Sequence, residues 1–223
     1  MKISGETLTI LKNFASINTN IVFKPGDIVS TISSAKNIFA KCKIKEDIPN
    51  QFAIYDLNSL LAMLTLMENQ DVSFNDKNLS VKSDKGTFEY FYSNPDVVVA
   101  APDGEIEHED VYKFKLTAED IQMISKAAAI TSAPTISITN KNQNVSLSVS
   151  DRKNDSSNSF RKSLGTAFDA FDVFIAVENL KVVPDAYEVS VAKTNNGKAK
   201  CLHFKHESKD LQYWIAAEPG SVV

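Results

Sequence analysis

Glycine, cysteine and histidine are scarce in this chain of 223 residues, and each scarcity removes a class of chemistry. The seven glycines are scattered singly. No phosphate-cradling Gly-x-x-x-x-Gly-Lys, no dinucleotide-binding Gly-x-Gly-x-x-Gly and no Gly-x-Ser-x-Gly nucleophile turn can be read among them. The two cysteines, Cys42 and Cys201, fall one in each half and outside any Cys-x-x-Cys pattern. They read as buried, reduced thiols rather than as a bridge. The histidines are His108, His203 and His206. On a strand, His203 and His206 point to opposite faces and would not share an ion, so no metal site and no other cofactor is expected. The longest apolar run, Leu60 to Met67, is far below the ~18 residues of a membrane span. The opening Met1-Lys-Ile-Ser-Gly-Glu lacks the apolar core of a secretory signal. An intracellular soluble protein without a membrane partner is expected. Positive charge is also lacking: the net charge is −4, which argues against a nucleic-acid binder unless the cations gather on one surface.

What is present is a plan written twice. Hydrophobic residues at 43% suffice for two cores of ordinary size. The first half opens with a helix from Ser4 to Ile17, with Leu8, Leu11, Phe14 and Ala15 on one face and Gly5, Thr9, Lys12, Asn13 and Ser16 on the other. Strand signals follow at 20–23, 28–32, 37–44 and 52–55. Asp56 caps a second helix that is apolar on most sides, and three strands near 72–74, 79–82 and 87–92 are joined by hairpin-type turns. Ser93 to Asp110 breaks the pattern with Pro95, Pro102, an apolar Val97-Val98-Val99 and an acidic cluster.

The second half repeats the order. A strand at 112–116 leads to a helix whose capping box is Thr117 and Asp120. Strands are expected at 135–139, 145–150, 160–164 and 171–176, then a short helix over Val177–Val182 stopped by Pro184. Two strands flank Asn195-Asn-Gly, a hairpin turn signal, and a last strand runs from Leu211 to Ala217. The expected architecture is α+β with two similar domains, 1–94 and 111–223, joined by a connector at 95–110.

The cations fall one to a helix. Lys12 lies opposite the apolar face of the first helix, Lys126 lies with Gln122 opposite Ile121, Ile124 and Ala128, and Lys181 follows Glu178. The acids Glu6, Glu119, Asp120 and Glu178 occupy first turns, where the helix dipole favours them. One lysine per surface helix is ordinary. Several such helices on one wall, repeated by symmetry, would grip duplex DNA loosely through sparse phosphate contacts without reading sequence. The acids Glu105, Glu107, Glu109 and Asp110 could be read as paired carboxylates for acid–base work. A solvated connector accounts for them better, because nothing apolar surrounds them to raise a pKa.

Four segments carry a family likeness: Leu11-Lys-Asn-Phe-Ala-Ser-Ile-Asn, Ala53-Ile-Tyr-Asp-Leu-Asn, Ala118-Glu-Asp-Ile-Gln, and Asn179-Leu-Lys with Pro184. With them the chain resembles the DNA polymerase sliding clamps of T-even-type bacteriophages from Met1 to about Glu218. The resemblance implies a DNA-clamp fold in which three two-domain subunits close head to tail. Helices then line a central hole and antiparallel sheets form the outside. It implies a non-enzymatic ring that encircles double-stranded DNA without sequence preference and tethers the replicative DNA polymerase. An ATP-driven clamp loader sets such rings on DNA, and the family is also linked to late viral transcription and its factors. The place of action would be the cytoplasm of the infected bacterial host.

Carried over by position, Lys2, Lys12, Lys126 and Lys181 would face the DNA. Val97, Val98, Val99, Ile215 and Pro219 would receive partner peptides, and Tyr90 and Phe160 would lie at the subunit junction. The chain departs from the family at Gly5 and Ala129, where further cations can occur, and in its second helix, which has no basic residue. Two other readings stay open beside this one: a β-rich self-assembling phage structural protein, and an enzyme whose site is assembled from scattered polar residues, for which the cluster near Glu105 is the only hint.

Overall fold

A computed structural model describes residues 1–67, 70–104, 106–194, 197 and 200–223. The chain divides into unit 1, Met1–Asp103 with Lys209–Leu211, and unit 2, Gly104–Ser208 with Gln212–Val223.

Unit 1 opens with helix α1 (Gly5–Ile17), which starts where the Ser4 side chain accepts the Thr7 N–H. It ends at Asn18, whose extended backbone turns away after one last bond to the Phe14 carbonyl. Thr7, Ile10, Leu11, Phe14, Ala15 and Ile17 are buried, while Leu8, expected on that face, is half-buried. The physical reason is polar: Glu46 is buried beneath the helix and accepts from the Thr7 hydroxyl, which turns Thr7 and Ile10 inward.

Helix α2 (Leu57–Leu66) is capped by Asp56 and buries Leu57, Leu60, Leu61 and Leu64. Phe14 and Leu57 are wholly excluded from solvent, each stabilising the fold by roughly 2–3 kcal/mol through apolar burial. Strands β1 (Ile21–Phe23) and β4 (Phe52–Ile54) pair with each other, and β2 (Gly26–Ile32) pairs with β3 (Ile38–Ile48). Strands β5 (Asp71–Phe74), β6 (Asn78–Ser83) and β7 (Gly86–Phe91) form a meander that leaves β7 at the edge. Phe52 ties these pieces together, stacking on Phe23 at 4.8 Å and Tyr92 at 4.7 Å, with Phe74 at 5.5 Å.

Unit 2 begins its sheet earlier than the sequence suggests: β8 covers His108–Leu116. The extension pairs Thr194 with His108, across a bulge that leaves Val111 without a partner on β13 (Tyr187–Thr194). Four strands pair in the order β8, β13, β14 (Lys200–His206) and β15 (Leu211–Ala216, whose first residue is counted with unit 1). The Asn195-Asn196 turn signal lies outside the described residues. Helix α3 (Ala118–Thr131) carries the full Thr117–Asp120 capping box and buries Ile121, Ile124, Ala127 and Ala128. A second sheet has the order β11 (Phe160–Thr166), β10 (Asn144–Ser150), β9 (Thr135–Lys141) and β12 (Asp172–Ala176), with β11 at its edge.

The short helix expected over Val177–Val182 is instead a single 3₁₀ turn at Val177–Asn179. So few residues before Pro184 cannot offset the cost of nucleating an α-helix. The Val177 N–H is taken by Pro134 and the Lys181 N–H by Asn179. Cys42 and Cys201 are free and buried, and burial pushes each thiol up to about 12.

Candidate nucleic-acid interface

Lys12 projects from the exposed face of α1, opposite the buried Leu11, Phe14 and Ala15. A shallow groove beside it, along α1 and α2, is lined by Lys12, Asn58, Leu61, Ala62, Thr65 and Leu66. Its charge is purely positive, and α2 adds an amide and a hydroxyl but no cation. Lys126 is exposed on α3 beside the exposed Gln122, and Lys2 is exposed ahead of α1. Lys181 departs from expectation: it follows the 3₁₀ turn rather than riding a helix, and it is half-buried with an interaction of its own. The aligned face that would have exposed it does not form.

Several lysines on strands are held by acids. Lys43 meets Asp27 at 3.0 Å, Lys45 meets Glu6 at 3.0 Å, and Lys115 meets Glu207 at 2.7 Å. Hydrogen bonding to these carboxylates raises the Lys43 and Lys115 pKa values above the usual lysine range. Lys162 bonds Asp120 at the start of α3, and Lys193 lies 3.5 Å from Glu109. Among the described residues, no ion pair holds Lys12 or Lys126. At these strand positions charge is locally cancelled, whereas Lys12 and Lys126 stand exposed on their helices.

The edge strands carry the two aromatic residues expected at a junction. On β7, Tyr90 is half-buried and donates its hydroxyl to the Asp56 carbonyl at 3.0 Å, tethering the edge to the cap of α2. On β11, Phe160 is half-buried. Of the residues expected to receive a peptide, Val97 is exposed at 60% and Pro219 is exposed. Val99 is half-buried and donates its N–H to Asn20 Oδ1 at 3.2 Å. Val98 packs with Val22 and Ala53, and Ile215 has no exposure, so neither side chain offers a surface anchor.

The acidic cluster does not build a proton-transfer pair: Glu109 faces Lys193 and Asp110 faces Lys113 at 2.8 Å. Burial pushes the Asp110 carboxyl up, but bonds from Lys113 and Ser190 outweigh it and hold the pKa below the usual carboxylate range. Glu105 lies outside the described residues.

Two family descriptions divide the chain between them. "DNA polymerase processivity factor" matches residues 4–100, and "gp45 sliding clamp, C terminal" matches residues 113–219. A sliding clamp of Vibrio phage KVP40 is 30% identical over 98% of this chain and 99% of its own length. This chain belongs to the phage sliding-clamp family. Sliding clamps of Escherichia phage RB69 and Enterobacteria phage T4 are each 29% identical over 99% of the chain and 98% of their own.

The fold extends beyond phages. The proliferating cellular nuclear antigen of Entamoeba histolytica superposes with a TM-score of 0.64 at 16% identity, covering 95% of this chain and 94% of its own. A PCNA2–PCNA3 complex from Sulfolobus tokodaii gives 0.65 at 11% identity, covering 97% and 98%. At such identities the likeness is one of fold, and it confirms the α+β clamp architecture of two similar domains.

One grouping in this clamp escaped the sequence reading. His108 and Asp110 on β8 and His203 on β14 bring one ligand-type atom each to within 4.8 Å of one another. His203 and His206 do point to opposite faces of β14, but the partners of His203 come from two strands away. The signal was the His108-x-Asp110 spacing, which puts both side chains on one face of a strand. Burial pushes His203 down to about 4, partly opposed by its bond to Gln212.

Proposed function

We propose that three copies of this chain close head to tail into a ring around duplex DNA, with α1 and α3 turned toward the DNA. The ring tethers a replicative DNA polymerase and acts by topology, without catalysis of its own. The observation that carries this reading is the family match across both halves. The cations without acid partners on α1 and α3 and the open edges of β7 and β11 are consistent with it. A β7 edge joined to a β11 edge is a heterologous contact, which closes a ring only at a suitable rotation. With a net charge of −4 per chain, retention rests on encirclement rather than on affinity. Lys2, Lys12 and Lys126 supply weak, salt-sensitive contacts, and Lys181 a lesser one.

An ATP-driven loader sets the ring on DNA, and the same ring serves late viral transcription. Both steps belong to the cytoplasm of the infected host. Val97 and Pro219 are the exposed members of the peptide-receiving surface. Domain limits of 1–94 and 111–223 about a connector at 95–110 remain part of this proposal.

The test combines molar mass across a concentration series with polymerase run length on primed circular DNA. A trimer that lengthens synthesis supports the reading. Assemblies far larger than a trimer, without stimulation, would support a self-assembling structural protein instead.

A further inference from the structure

We propose that His108, Asp110 and His203 form a binding site for a divalent transition-metal ion of the zinc type, with the remaining coordination left to water. The site depends on the bulge at Val111. Lys113, Ser190, His203 and Trp214 are directly opposite one another across β8, β13, β14 and β15 and therefore share a sheet face. In an unbroken strand Asp110 would point away from the face that Lys113 occupies. The unpartnered residue shifts the alternation, so Asp110 and His108 join that face.

Both imidazoles are oriented by second partners. His108 Nδ1 lies 2.7 Å from the Ile106 carbonyl, which places the ring proton there and leaves Nε2 with its lone pair toward Asp110. The longer 3.4 Å approach of Trp214 Nε1 to the same nitrogen is the weaker contact and does not set the tautomer. His203 Nε2 lies 2.9 Å from Gln212 Oε1, which leaves Nδ1 as its donor atom.

His108 Nε2 and Asp110 Oδ1 are 3.3 Å apart. Two lone pairs at that distance repel unless a cation lies between them, either a proton or a metal. The separation also equals the edge of a tetrahedron with metal–ligand bonds of about 2.0–2.1 Å. Lys113 takes the other oxygen, Oδ2, at 2.8 Å, and together with Ser190 it fixes the carboxylate. The donors are two imidazoles and a carboxylate, a set suited to zinc or nickel rather than calcium.

The single tryptophan provides the readout, because Trp214 stacks on His203 with ring centroids 4.7 Å apart. Nickel titrated into the full chain should quench Trp214 emission saturably at one ion per chain. EDTA should reverse the effect, and zinc should compete without quenching. His108→Gln and Asp110→Asn should each weaken binding by about 10–100-fold while circular dichroism stays native. Asp110, the more exposed of the ligands, decides the matter if His108→Gln folds poorly. Quenching that fails to saturate near one equivalent, or that keeps its midpoint in folded Asp110→Asn, would overturn the site.

Discussion

Glu46 reaches from β3 to the first turn of α1, where it accepts the Thr7 hydroxyl at 2.5 Å and the Ser4 backbone N–H. A buried carboxylate thus satisfies two donors that the helix start would otherwise leave unpaired. Burial pushes its pKa up, but the bonds from Thr7 and Ser4 outweigh that and hold it below the ordinary 4.5. Glu46→Gln should therefore cost about 1–2 kcal/mol at neutral pH.

The same bond fixes a sign in acid. A carboxyl whose folded pKa is depressed stabilises fully above its unfolded pKa, and that stability is lost as pH falls through the folded value. Urea midpoints of wild type and Glu46→Gln should differ most near pH 7 and converge only as the pH falls below the ordinary carboxylate range. A gap that widens on acidification would contradict this account.

Lys12 and Lys126 should act on DNA, and Lys181 mainly on the fold. Replacing the first two with glutamate should cut loading or sliding on nicked circular DNA and leave the trimer intact. Lys181→Ala should lower thermal stability with less effect on loading. Unchanged loading by the double variant would show that α1 and α3 do not face the DNA.

Gly165 lies at a bulge on β11 with φ at +112, and a Cβ there would come within 3.2 Å of the Tyr112 hydroxyl. That hydroxyl donates to the neighbouring Leu164 carbonyl at 2.8 Å. Gly165→Ala should therefore destabilise unit 2 by about 1–2 kcal/mol, read as a lower urea midpoint.

Phe160→Glu tests the subunit edge. The side chain keeps part of its surface exposed on β11, so a charge there should leave circular dichroism native while shifting the mass distribution from trimer toward monomer. A variant that remains trimeric at every concentration would move the junction away from β11.

Helices α1, α2 and α3 were legible because period and cap agree: Ser4, Asp56 and Thr117 each precede an apolar stripe and each accepts a backbone N–H. Strand edges were legible for a similar reason, since β7 and β11 close runs of alternating residues. The 3₁₀ turn at Val177 was not legible, because a six-residue stretch of mixed polarity before proline fits either conformation. Nor was the burial of Ile215 and Val98, which is decided by what packs over each residue rather than by its neighbours in sequence. The meeting of His108 with His203 depends on register across three strands and on a single unpartnered residue, neither of which any local pattern encodes.

The burial of both cysteine thiols has a practical side. With each thiol pushed up to about 12, almost none of either is thiolate at neutral pH, and maleimides react with the thiolate. A cysteine introduced at Phe168, which is 92% exposed, would be the sole handle that a dye could find. Distances between labelled subunits could then be followed with both native sulfurs left in place.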